Sequence, residues 1–399
     1  MKSNVPARRT RLLVLTSTFP RRRDDGEPGF VLELATRLAG QFDITVLVPH
    51  APGLSAKENW GDLAIHRFRY APAPLETLAY QGGIQAQLRA HPWKHLLVPF
   101  FLLSQWWHCR KLLRNDHFNT IHAHWIFPQG LIALVCGNVP VIVTAHGSDL
   151  HGLRGRFWRH IQRYVLGRSR VVATVSRAMA DIALAIQRPI NDLRILPMGV
   201  DLQSRFTPAD MQRASATFLF VGRLVASKGL DVLLEAFSLL LRDQPDSWLV
   251  VVGSGPNEDD YKTQARSLGI ADRVEFTGAL PANRLPARYR QATALVSPSR
   301  AEGLGLTLIE AAGCACPIIA TDLPATREIL VDGESGLLVP PDTPQSLANA
   351  MRQLATERGN AERLGKNARA AVLTRYDWPA VADAYAAAIR HIAATAHAE

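Results

Sequence analysis

The stretch "SRAEGLGLTLIEAAGCACPIIAT", Ser299 to Thr321, decides how the chain is read. A β-branched run, Ala294–Ser297, leads into it. Ser299–Gly305 then reads as a loop with two glycines, Leu306–Cys314 as a helix, and Pro317–Thr321 as the next strand. Two acids stand in this otherwise small and apolar segment, Glu302 and Glu310, with seven residues between them. A carboxylate buried without a partner is costly, so neither is expected in a closed core. The spacing puts Glu302 in the strand-to-helix loop and Glu310 about one turn into the helix. The free N–H groups of a helix start, approached closely through Gly303 and Gly305, suit a phosphate. A carboxylate beside them suits sugar hydroxyls, because it accepts two hydrogen bonds in a fork. On spacing alone a purely structural reading is equally open, with Glu302 capping the helix and Glu310 pairing with a surface Arg.

The same alternation continues outward in both directions. Strands are predicted at Arg11–Thr16, Asp43–Val48, Ala64–Arg69, Thr120–His124, Val139–Ala145, Val171–Val175 and Leu193–Leu196. A second set is predicted at Thr217–Val221, Trp248–Val252, Val274–Thr277, Ala294–Ser297, Pro317–Thr321 and Gly336–Val339. Helical patterns between them include Phe30–Ala39, Arg177–Gln187, Leu230–Arg242, Leu285–Gln291 and Pro344–Thr356. Short continuous apolar strands alternating with helices predict an α/β fold with parallel sheets covered on both faces. Two sets predict two doubly wound Rossmann-like domains, 1–205 and 206–378. The boundary falls in the polar stretch Asp201–Ala216, and a last helix, 379–395, packs back on the first domain. Ligands of such sheets bind at the carboxyl ends of the strands, so a cleft between the domains is the expected site.

Composition is that of a soluble globular chain, 399 residues with 47% apolar and 20% charged. Cys109, Cys136, Cys314 and Cys316 are too few for a disulfide framework, which points to a reducing, cytoplasmic setting. The net charge of +10 is uneven. Residues 1–200 hold 25 Lys and Arg against 12 Asp and Glu, +13; residues 201–399 hold 20 against 23, −3. An anionic partner for the first half is one reading and a solvated basic face the other. No nucleic-acid-binding motif accompanies the charge, so nucleic acid is not expected.

Other segments carry chemistry in combination with Glu302 and Glu310. "TFLFVGRLVASKG", Thr217–Gly229, ends a strand and then offers Gly222, Arg223 and Lys228 before a helix. Two cations there suit a diphosphate leaving group. The spacing is not that of a P-loop. Gly253-Ser254-Gly255 starts like a dinucleotide fingerprint but lacks its third glycine, which disfavours a dehydrogenase. His122 and His124 alternate on a strand and share one face. No Asp-x-Asp pair sits in a strand-end loop, and no metal site is expected.

Together, "VGRLVASKGLDVLLEAF", "VVGSGP", "RVEFTGAL", "SRAEGLGLTLIEAAGCACPIIATDLPATREIL" and "DGESGLLVPP" resemble the C-terminal domain of the GT-B-fold retaining glycosyltransferases of family 4. The first half is similar more loosely, through "FVLELATRLA", "IHAHW", "VTAHGSDL" and "VSRAMAD". The resemblance implies a metal-independent transfer of a sugar from a nucleotide-diphosphate donor, with no cofactor. It makes Glu310 similar to the ribose-binding carboxylate and Glu302 to the acid at the donor sugar. Arg223 and Lys228 match the pair on the diphosphate, joined by amides around Gly305, Leu306 and Thr307. Gly222 and Gly253 fall in the donor loops, and backbone near Phe276 stands beside the base. His146 matches the first-domain histidine facing the sugar, with Asp149 orienting it and His124 lining the acceptor side. Gly26 and Gly29 fall where the family often carries a Gly-Gly pair, here broken by Glu27-Pro28. Leu304 stands where many members have Phe.

The resemblance also implies a saccharide or lipid-linked acceptor held by the first domain, as in cell-surface polysaccharide or glycolipid synthesis. "HLLVPFFLLSQWWHCRKLLR", 95–114, fits an interfacial helix against an anionic membrane surface, or equally a helix packed on the sheet. Alternatives to transfer are a sugar-nucleotide epimerase or phosphorylase of the same fold, and a non-catalytic nucleotide-sugar-binding protein.

Overall fold

The computed structural model describes residues 9–22, 25, 29–80, 83–153, 155–210 and 216–395. The chain divides into two compact units, Met1–Pro197 with Val381–Glu399, and Met198–Ala380. In the first, strands β1 (Arg11–Leu15), β2 (Asp43–Pro49), β3 (Lys57–Trp60), β4 (Leu63–Phe68), β5 (Thr120–His124), β6 (Val141–Ala145), β7 (Val171–Thr174) and β8 (Leu193–Ile195) form one sheet. Their spatial order is β3-β4-β2-β1-β5-β6-β7-β8. In the second, β9 (Thr217–Val221), β10 (Trp248–Val252), β11 (Val274–Gly278), β12 (Ala294–Ser297), β13 (Ile318–Thr321) and β14 (Leu337–Val339) are ordered β11-β10-β9-β12-β13-β14. Every strand pair is parallel except β3 with β4.

The central strands are near-continuous runs of buried apolar residues, as parallel strands covered on both faces must be. Leu12, Leu13 and Leu15 are fully buried in β1, and Phe218, Leu249, Val251, Val296 and Ile319 anchor the second core. Strand order reverses between β1 and β5 in one sheet and between β9 and β12 in the other. At such a switch point the loops after neighbouring strands part and leave a crevice at the carboxyl ends.

The expected domain boundary lies too late in the chain. Residues 198–206 belong to the second unit, because their backbone is tied there. The Val200 amide donates to Tyr376 O at 2.8 Å, and the Leu202 amide to Asp377 Oδ1 at 3.1 Å. Leu202 and Phe206 are buried against Gly313, where an added Cβ would lie 2.6 Å from Leu202 Cδ2. The final helix, Trp378–Thr395, carries the chain back into the first unit. There Tyr385 is fully buried, donates to Leu196 O at 2.9 Å and stands 5.4 Å from the His122 ring. Several elements escaped the sequence reading, the helices Leu131–Cys136, Arg156–Arg168 and Glu258–Ser267 among them. The edge strand β3, "KENW", has no apolar run to announce it. The helix Arg358–Tyr376 is predominantly polar, with a buried row of Ala361, Leu364, Ala368 and Val372.

Candidate functional site

In the second unit the loops after β9, β10 and β12 are laced together. Gly222 N donates to Val252 O at 3.0 Å, Leu224 N to Ser254 O at 3.0 Å, and Arg300 N to Ser227 O at 2.8 Å. Gly253, with φ 140°, lets the β10 loop touch the β9 loop, since a Cβ there would fall 1.8 Å from Gly222 O. Lys228, at the end of a short 3₁₀ turn, reaches the β12 loop, and its Nζ donates to Glu302 Oε1 at 2.6 Å. Ser299 Oγ donates to the same oxygen at 2.7 Å. The capping alternative for Glu302 is thereby displaced: its carboxylate holds a cation and a hydroxyl, with its second oxygen left for another donor. Arg223 is exposed on the same loop as Lys228.

Gly305 opens the helix Leu306–Gly313 from a left-handed conformation, φ 79° and ψ 54°, that costs a side chain energy but glycine almost nothing. No side chain caps this helix start, and an uncapped helix start of this kind suits an anion. Among the described residues, Glu310, one turn on, pairs with no surface Arg. It accepts from Tyr289 Oη at 2.8 Å. Desolvation pushes its carboxyl up to about 7, partly opposed by the Tyr289 bond and the Arg205 charge. Phe276 lies in β11 beside Val251 of β10, just before the register slips at Val252 and Gly278.

Sequence reasoning missed Arg300. Its guanidinium grips Asp231 through both terminal nitrogens, at 2.9 and 2.7 Å, and Asp342 through Nε at 2.7 Å. With its bond to Ala226 O, it staples the turn carrying Lys228 to the loop carrying Glu302. The fork geometry of Arg suits this bridging. The only hint in the sequence was its place two residues before Glu302.

In the first unit the carboxyl ends of β5 and β6 gather three histidines. The rings of His122 and His124 are 4.1 Å apart, as their alternation on β5 requires. His124 Nδ1 is 3.0 Å from His146 Nε2, and His122 Nε2 bonds Thr144 Oγ1 at 2.8 Å. Trp125 and Phe30 stand 4.5 and 5.2 Å from the His146 ring. Burial keeps the group uncharged: His122 and His146 are lowered to about 3, and His124 well below its ordinary value. Among the described residues, no group of three or more His, Cys, Asp or Glu is arranged to hold a metal ion. Trp125 adopts φ 75°, a strained value for a bulky side chain, where the chain turns out of β5.

Asp149 holds His146 in place through the backbone. It reaches the backbone of His146 rather than its imidazole. Oδ1 accepts from the His146 and Gly147 amides at 3.1 and 3.0 Å, and Oδ2 from the Ile126 amide at 2.8 Å. It therefore ties the turn after β6 to the segment after β5 and fixes His146 from behind. Desolvation raises its carboxyl to about 6, against the pull of these amides. Gly29 precedes the helix Phe30–Leu38 and meets nothing within 4 Å of a built Cβ. Gly26 lies outside the described residues. Leu304 is buried. All four cysteines are buried, and none is in a disulfide.

Comparison with known proteins agrees in both units. Residues 29–204 match the family model described as Glycosyltransferase Family 4, and residues 209–371 that of Glycosyl transferases group 1. A D-inositol 3-phosphate glycosyltransferase of Geodermatophilus obscurus is 32% identical over 320 residues, 70% of this chain and 68% of its own length. A GDP-mannose-dependent alpha-(1-6)-phosphatidylinositol monomannoside mannosyltransferase of Mycolicibacterium smegmatis is 29% identical over 387 residues, covering 92% of this chain and 95% of its own. Among solved structures, sucrose-phosphate synthase from Thermosynechococcus elongatus superposes with a TM-score of 0.81 at 21% identity, covering 97% of this chain and all of that one. Anabaena HepE in complex with UDP and glucose gives 0.72 at 16% identity, covering 96% and 99%. With two largely parallel sheets, family models matched over residues 29–204 and 209–371, and a 32% identical relative covering 70% of the chain, the chain belongs to the GT-B glycosyltransferases of family 4.

Proposed function

We propose that this glycosyltransferase moves a hexose from a nucleotide-diphosphate sugar to a saccharide or lipid-linked acceptor, with retention of anomeric configuration and without a metal, on the cytoplasmic side of the cell. The observation that carries the reading is the Lys228–Glu302 pair, 2.6 Å apart beside the uncapped helix start at Gly305. One ammonium proton serves Glu302, and two others remain for phosphate oxygens. Arg223 on the same loop adds a second cation. Preorganised positive charge of this kind stabilises a departing diphosphate better than it stabilises the bound ground state. Glu310, ionised, is suited to the ribose hydroxyls, and Glu302 to those of the sugar.

In the proposed reaction the bond from the anomeric carbon to the phosphate oxygen breaks, and the acceptor oxygen bonds to that carbon on the same face. The acceptor proton passes to the leaving phosphate. Support for a step without a protein nucleophile comes from the histidine cluster, where the buried carboxylate, Asp149, already accepts three amides. His146, held neutral, offers a hydrogen bond to the sugar without adding charge against the oxocarbenium-like state.

The GDP-mannose dependence of the mannosyltransferase relatives makes GDP-mannose the first donor to try. GDP-, UDP- and ADP-sugars should be compared for nucleoside diphosphate release with and without acceptor, in the presence of EDTA. Thermal stabilisation by one nucleoside diphosphate and acceptor-dependent release are expected. Failure of all three nucleotides to stabilise the protein would sink the reading. Donor isomerisation without release would point to an epimerase.

A further inference from the structure

The helix Leu97–Asn115 buries Phe101, Gln105, Cys109 and Leu112. Its opposite side carries large apolar residues in the open: Leu96 is 73% exposed, Phe100 60%, Leu103 62% and Trp107 50%. Their spacing of four, three and four makes one stripe. Single exposed hydrophobics are ordinary on a protein surface, but a contiguous row is not. The stripe continues into Lys111 and Arg114, both exposed, and Lys111 Nζ lies 5.0 Å from the Trp107 ring.

The same layer extends sideways. The helix packs on Leu131–Cys136, which packs in turn on Arg156–Arg168. Val135, Phe157 and Tyr164 are exposed along it, and Arg156, Arg159, His160 and Arg163 line an open groove. None of the three helices contains an acidic residue. Between Glu76 and Asp181 the chain has twelve Lys and Arg and only two acids, Asp116 and the buried Asp149. No described helix is long and apolar enough to cross a membrane. From Leu96 to Arg114 the stripe runs roughly 27 Å at the helical rise, a length that can lie flat on a surface.

Charge chooses the occupant of this face. A second copy of the chain would bring cations against cations, with no carboxylate to meet them. An anionic leaflet offers acyl chains for the stripe, headgroup depth for the tryptophan and phosphates for the cations. We propose that these three helices form a docking surface for an anionic lipid bilayer. Leu96, Phe100, Leu103 and Trp107 enter the headgroup boundary, and Lys111, Arg114, Arg156 and Arg159 meet lipid phosphates. The proposal stands apart from the reaction proposed above, because its readout involves no donor or acceptor.

The full chain is sedimented with vesicles of phosphatidylcholine alone and of phosphatidylcholine mixed with phosphatidylglycerol. The anionic vesicles should carry down at least about tenfold more protein at low salt and release most of it at high salt. The double variant Leu103→Glu/Trp107→Glu, altered only at exposed positions and checked by its melting temperature, should fall to the phosphatidylcholine level. Arg156→Glu/Arg159→Glu should keep the weak binding to phosphatidylcholine and lose the anionic preference. Equal sedimentation with both vesicle types overturns the proposal, as does wild-type binding by both variants. Self-association in light scattering that Leu103→Glu/Trp107→Glu abolishes would assign the face to a second copy instead.

Discussion

Glu302 is held 2.6 Å from a lysine and 2.7 Å from a serine hydroxyl, whereas His146 is held 3.0 Å from another neutral histidine among aromatic rings. Both sites stand where strand order reverses, at the carboxyl ends of a parallel sheet. They use opposite electrostatics. The second unit arranges full charges, Lys228 against Glu302 and Arg300 against Asp231 and Asp342, on loops drawn together by backbone contacts. At the histidine cluster of the first unit burial lowers His122 and His146 to about 3, and the neighbouring carboxylate, Asp149, is spent on three amides. A site of the first kind can grip a diphosphate. One of the second kind, itself uncharged, can orient a group that develops positive charge without repelling it.

The largest effect should come from separating the two. Lys228→Ala is expected to lower transfer roughly 10²–10³-fold, the cost of deleting one preorganised group at a leaving charge, and to weaken nucleoside diphosphate binding in a thermal shift. His146→Ala should lower transfer as well while leaving that thermal shift intact. If His146→Ala weakens nucleotide binding as much as Lys228→Ala does, the division of labour between the units is wrong.

Next in size is Asp149→Asn. An amide nitrogen would face backbone N–H groups where an oxygen now accepts them, so a loss of roughly 1–3 kcal/mol is expected in denaturant unfolding. Unchanged stability would mean that the turn carrying His146 is held by something other than these three bonds.

The smallest effect is a pH limb. If ionised Glu310 binds the donor ribose, donor affinity should fall about fivefold from pH 7 to pH 6, and Glu310→Gln should flatten the profile. The sign for stability runs the other way. Glu310 holds its proton more tightly in the folded chain, up to about 7 against an ordinary 4.5, so it costs stability as pH rises through that window. The histidines, lowered on folding from 6.5, cost stability as pH falls below that value.

Thirteen of the fourteen strands among the described residues were legible in the sequence because buried parallel strands must be apolar along their whole length. The exception, β3, is an antiparallel edge strand of polar residues, paired on one side only. Lys228, Glu302 and Glu310 were legible because glycines and strand ends fix where such loops start. Their partners were not. Ser299 is an ordinary loop residue in the text, and Tyr289 reaches Glu310 across 21 positions. Arg300 owes its position to Asp231 and Asp342, which only the closed sheet brings near it. Asp149 was recognised as a residue of interest, but its bonds to amides follow from a backbone turn that spacing does not reveal.

The return of the last helix into the first unit has a consequence for synthesis. Tyr385, Ala386, Ala388, Ile389 and Ile392 are all fully buried, and Tyr385 closes over His122. The first sheet thus waits for a helix that leaves the ribosome only after the whole of Met198–Ala380. The nascent chain passes through a stage in which the second unit has all of its residues and the first still exposes the side of its histidine cluster that Tyr385 will cover.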